Sequence, residues 1–112
     1  MLKGLGDMAK LMKQDQEMQQ KMAEAQERVA AIIAEGRSGA GLVTATATAE
    51  GEVKTLSIDP SLVVAEEKEV LEDLVVAAIN DATRRAREEG QAVMAKVTEG
   101  LPLPPGMKLP FG

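Results

Sequence analysis

An α+β fold of order α-β-β-β-α is predicted by three features of the chain: a pair of short alternating runs near its middle, a further strand read just before them and ending near Arg37, and one long apolar stripe of helical period on either side. The expected architecture is a small three-stranded antiparallel sheet between a long projecting N-terminal helix and a long C-terminal helix. Residues 1–100 read as a single domain and residues 101–112 as a proline-rich C-terminal tail.

The first helix is expected from residue 5 to about residue 33. Written as heptads, Met8, Asp15, Met22 and Val29 fall at one core position and Leu11, Met18, Ala25 and Ile32 at the other, so only Asp15 breaks the stripe. Gln14, Gln16, Glu17, Gln19, Gln20, Lys21 and Glu24 between them are good helix formers. At about 1.5 Å per residue such a helix overhangs any short hairpin, so its N-terminal half is expected to project. The C-terminal half, with Ala25, Val29, Ile32 and Ile33, is expected to pack on the sheet or to become a strand. A strand ending near Arg37 is the preferred reading of the Ile32-Ile33 region.

Along Leu42 to Ala49, Thr44, Thr46 and Thr48 alternate with Val43, Ala45, Ala47 and Ala49, the period of a strand with one polar face. Val53 to Ile58 repeats the pattern with Leu56 and Ile58 on a common face, and Glu50-Gly51 between the runs suits a hairpin turn. The glycines of Gly36-Arg37-Ser38-Gly39-Ala40-Gly41 read as backbone devices for a bulge or tight turn. Asp59-Pro60-Ser61 then punctuates the chain.

The second helix is expected over residues 67–99, with Glu66-Glu67 near its positive end. Leu71, Leu74, Val75, Ala78, Ile79, Ala82 and Ala86 form a stripe wide enough to cover one face of a small sheet, and Gly90 is expected to loosen or bend the helix. Leu101 onward holds four of the five prolines and is expected to be extended.

Composition removes most catalytic chemistry. There is no Cys and no His, so thiol nucleophiles, thiolate metal sites and imidazole acid-base catalysis are excluded. Nothing pairs the abundant carboxylates with a nucleophile, and the glycine-rich segment lacks the Lys-Ser/Thr ending of a phosphate-binding loop. An enzyme is not expected, nor is a cofactor, a metal or a small-molecule substrate. No apolar run approaches the roughly 20 residues needed to span a bilayer, so a cytoplasmic protein without a membrane partner is expected. Phe111 is the only aromatic residue, which leaves an Ala-rich core that favours a partner subunit.

Net charge is -5, so contact with phosphate requires local patches. Up to Gln14 the first helix carries Lys3, Lys10 and Lys13 against Asp7 alone. Lys10 and Lys13 lie one turn apart, away from the apolar stripe, where they suit either successive phosphates or a solvated face. Arg84, Arg85 and Arg87 form the densest basic cluster, read either as a phosphate patch or as intrahelical pairs of Asp81 with Arg85 and of Arg84 and Arg85 with Glu88 and Glu89.

Five segments in register resemble one family: Leu11-Met12-Lys13-Gln14 with its Gln- and Met-rich helix, Gly36-Arg37-Ser38-Gly39-Ala40-Gly41-Leu42-Val43, Ile58-Asp59-Pro60-Ser61-Leu62, Leu71-Glu72-Asp73-Leu74-Val75 with Ala78-Ile79-Asn80-Asp81-Ala82, and Leu103-Pro104-Pro105-Gly106-Met107-Lys108-Leu109-Pro110-Phe111. They closely resemble the YbaB/EbfC family of bacterial nucleoid-associated proteins. The resemblance implies a homodimer formed largely through the sheets, with first helices projecting like tweezer arms around double-stranded DNA. It also implies a role in chromosome organisation or regulation, without enzymatic activity. Carried onto this chain, its DNA contacts are Lys3, Lys10, Lys13 and Lys21, with Arg84, Arg85 and Arg87. The alternative from the residues themselves is a protein-interaction module that grips a partner through Met-rich helical arms.

Overall fold

The computed structural model describes residues 2–99, with side chains from Gly6 to Val97 and at Glu99. The order is α1 (Leu2–Ala30), β1 (Ile33–Ser38), β2 (Val43–Thr48), β3 (Val53–Ile58) and α2 (Lys68–Thr98), with single 3-10 turns at Gly39–Gly41, Pro60–Leu62 and Ala65–Glu67. The expected α-β-β-β-α order is therefore present. The proline-rich tail lies outside the described residues.

The three strands form one antiparallel sheet in the order β1-β2-β3. Thr48 closes the hairpin from both ends: its N–H donates to the Glu52 carbonyl at 2.8 Å and its Oγ1 accepts from the Glu52 N–H at 3.1 Å. Gly51 takes φ 95 between them, the left-handed conformation that the turn requires. A register shift between Thr46 and Ala47 marks a bulge against β3.

Alternation along β2 decides which face is covered. Val43, Ala45 and Ala47 are buried and meet Ala78 and Ala82 of α2, while Thr44, Thr46 and Thr48 face away. Leu62 completes this core, with Leu71, Leu74, Val75 and Ile79 packed around it. Val43 is its largest fully buried side chain, so the helix sits close to the sheet on alanines. That coverage stops short of β3: Val53 and Leu56 point to the covered side of the sheet yet remain 40% and 44% exposed.

Gly36 does more than turn the chain. It lies inside β1, buried, where a Cβ would stand 2.1 Å from the Ala82 backbone nitrogen. The missing side chain is what lets α2 lie against the strand.

The first helix docks differently from expectation. Its C-terminal half packs on the far end of α2 instead of on the sheet, because α2 extends beyond the strands and offers the nearer apolar surface. Ala25 is fully buried there, and Met18, Met22, Val29 and Ile32 are half-buried. The two helices run antiparallel: Val29 and Ile32 stand by Gly90, whereas Ala25 stands by Val97. Ile32 belongs to the connection, and the strand expected to end near Arg37 runs from Ile33 to Ser38.

Gly90 neither breaks nor ends α2, which continues to Thr98. It is buried where α1, α2 and the end of β2 meet, and a Cβ would lie 3.5 Å from the Ala49 Cβ and 3.6 Å from Val29 Cγ1. Those are ordinary contacts, and the glycine is interior to a helix. Gly90→Ala is therefore expected to raise stability by about 0.5–1 kcal/mol through helix propensity, read as a higher urea midpoint at unchanged slope. A lower midpoint would mean that the three-way junction is tighter than this spacing.

Candidate nucleic-acid interface

Apart from Lys68, paired with Glu72 at the start of α2, the basic side chains of the long helices occur in three zones. The outermost holds Lys10 and Lys13, both exposed on the part of α1 that has run past the end of α2. Neither has a carboxylate within 4 Å among the described residues. Lys3 lies on the same helix but outside the described side chains.

The second zone joins both helices. Lys21, Glu24, Ala25 and Arg28 of α1 line a groove with Lys96 and Val97 of α2, so three cations surround one acid. Arg28 and Lys96 were not among the residues singled out from the sequence. Arg28 falls seven residues after Lys21, a signal that was available; Lys96 arrives only through the antiparallel packing. Lys21 stands eleven residues from Lys10, which is three helical turns or about 16 Å.

The third zone, Arg84, Arg85 and Arg87, lies another eleven residues back along α2 from Lys96 to Arg85. Here the electrostatics differ. Asp81 accepts from Arg84 Nη2 at 2.6 Å and from Arg85 Nε at 3.1 Å, and it also accepts from the Arg37 backbone N–H at 3.0 Å. Arg84 reaches Glu88 as well, at 3.3 Å. The expected Asp81–Arg85 and Arg84–Glu88 pairs are present; an Arg85–Glu89 pair is not among the described contacts, because Arg85 turns back to Asp81. Arg87 is exposed without such a partner among the described residues.

Asp81 thus ties α2 to the open edge of β1, satisfying an edge amide that the sheet leaves unpaired. The Arg37 N–H, followed by the Arg85 side chain, holds the Asp81 carboxyl below its ordinary value. A depressed carboxylate contributes stability above its unfolded value and loses it as pH falls through the folded one. Asp81→Asn is accordingly expected to lower the thermal midpoint at neutral pH and to narrow its gap from the parent protein below pH about 4. An equal gap at both pH values would show that the charge of Asp81 contributes nothing.

No group of three or more acidic side chains among the described residues is arranged to hold a metal ion. The described helices include none long and apolar enough to cross a membrane.

The YbaB/EbfC DNA-binding family model matches residues 4–101, from the arm through the end of α2. The chain belongs to the YbaB/EbfC family. This is a DNA-binding, nucleoid-associated family and is not known for enzymes. The fold is also similar to the crystal structure of the uncharacterized protein HP0035 from Helicobacter pylori, with a TM-score of 0.61 and 26% identity over 77% of this chain and 90% of that one. Within the YbaB/EbfC fold, then, the arm zone and the groove zone present unneutralised cations, and the Arg84–Arg85 zone presents cations already bound to carboxylates.

Proposed function

We propose that the protein binds double-stranded DNA as a homodimer, with the two α1 arms clamping the duplex, and organises the chromosome or regulates its expression. The observation that supports this most directly is the unpaired pair Lys10 and Lys13 on the projecting half of α1, in a molecule of net charge -5. A helix with exposed lysines one turn apart fits successive phosphates of one strand. Lys21, with Arg28 and Lys96 beside it, extends that line of contact toward the body, and Lys3 extends it toward the tip. Arg84 and Arg85 contribute by exchanging Asp81 for phosphate, and Arg87 directly.

Two copies are favoured by the sheet itself. Val53 and Leu56 of β3, and Val63 and Val64 after it, are apolar side chains left exposed. Pairing there encloses what an alanine core cannot, and it doubles the basic tips. Once one arm is bound, the second acts at high local concentration, which offsets the repulsion between an acidic body and DNA.

Fluorescence anisotropy of a labelled duplex, titrated at several salt concentrations, tests the reading. Affinity is expected to fall linearly with salt on logarithmic axes, by roughly 0.9 unit for each phosphate contact. Absence of binding at low salt, or a monomeric mass at micromolar concentration, would overturn the clamp.

A further inference from the structure

The a/d stripe of α1 is only half used. From Ala25 back to Met18 it is buried or half-buried, but its continuation is open: Met8 and Leu11, with Met12 beside them, are 61%, 64% and 63% exposed. The open part starts where α2 stops, because Ala25 lies beside Lys96 and Val97 and α2 ends at Thr98. Since the helices are antiparallel, the axis of α2 at Thr98 points along that open stripe.

We propose that residues 101–112 lie along the exposed stripe of their own α1 between Met8 and Met18, continuing the α1–α2 interface toward the tip. Length permits it: residues 100–112 in polyproline geometry span about 40 Å at 3.1 Å per residue, against about 26 Å of helix from Ala25 to Met8. Composition favours it. The segment holds Leu101, Leu103, Met107, Leu109 and Phe111, the last being the only aromatic residue in the protein. A polyproline strand makes no internal hydrogen bonds, so it covers an apolar helix face while its own carbonyls stay in water. Its prolines lower the ordering entropy that such docking costs. Charge agrees as well: Lys108, the only charged side chain of the segment, is opposite in sign to Asp15, the one charged interruption of the stripe. Lys10 and Lys13 stay on the other side of α1, so the inference is independent of whether the arm contacts DNA.

The test uses the full chain. Oxidation of Met8 and Met12 by hydrogen peroxide, followed by peptide mass spectrometry, is compared between the parent protein and a Leu109→Ser, Phe111→Ser variant. Faster oxidation in the variant, by about threefold or more, is expected, because thioether oxidation follows exposure. Equal rates overturn the proposal. Protection that disappears on dilution also overturns it, by assigning the cover to a second copy. The absence of cysteine allows a second readout: a nitroxide on Gly112→Cys is expected to broaden amides of α1 between Met8 and Met18. That broadening must survive tenfold dilution with untagged, unlabelled protein; its loss places the tail on a partner and refutes docking within one chain.

Discussion

Gly36→Ala is expected to unfold the protein at temperatures where the parent is fully folded. The added Cβ would meet three backbone atoms of α2: the Ala82 nitrogen at 2.1 Å, the Ala78 carbonyl oxygen at 2.4 Å and the Ala82 Cα at 2.7 Å. No rotamer change removes a backbone clash, so the helix must lift from the sheet. Inserting one methyl into a packed interior costs typically about 1–3 kcal/mol when side chains can adjust. Here they cannot, and total stability of a domain this size is only about 5–15 kcal/mol. The lift is also transmitted, because the core beneath α2 is mostly Ala45, Ala47, Ala78 and Ala82, whose small side chains lose contact with a modest displacement. A thermal melt by circular dichroism reads the effect, with Gly90→Ala as the matched control. A melt like that of the parent would show that β1 and α2 do not approach this closely.

Replacing Lys3, Lys10 and Lys13 with Gln is expected to weaken binding to duplex DNA by about tenfold or more at moderate salt, and to flatten the salt slope by roughly one unit per lost contact. In the proposed dimer the loss counts twice, once for each arm. The fold should not notice, since Lys10 and Lys13 are exposed and make no ion pair among the described residues. Arg84→Gln with Arg85→Gln is expected to have a smaller effect on affinity, because Asp81 and Glu88 already neutralise part of that charge. An opposite ranking would move the DNA-contacting surface from the arm to the middle of α2.

What could be read from the sequence was local in period. The α2 stripe from Leu71 to Ala86 and the Thr-Ala alternation of β2 each reveal a face within a few residues, and both faces meet as expected. Partners distant in sequence were not legible. The α1 stripe shows an apolar face but not its destination, so packing on the sheet and packing on α2 looked alike. Gly36 resembled a turn glycine because the residues that require it, Ala78 and Ala82, lie more than forty positions away. The bond from the Arg37 amide to Asp81 spans 44 positions, and the pairing of Arg84 and Arg85 around that carboxylate follows from it. Lys96 joined Lys21 only through the antiparallel crossing.

The α1–α2 contact has a mechanical consequence. Beyond Ala25 the first helix is a cantilever of about 26 Å to Met8, held by a short contact in which Ala25 stands by Val97 and Val29 stands by Gly90. A tilt of about 10° at that contact carries the free end through about 4–5 Å, comparable to half the width of a minor groove plus a side chain's adjustment. The residue at position 90 therefore acts as a shim: alanine fits the gap, while a bulkier side chain would swing the lever and, in the proposed dimer, reset the opening between the arms without touching a single lysine.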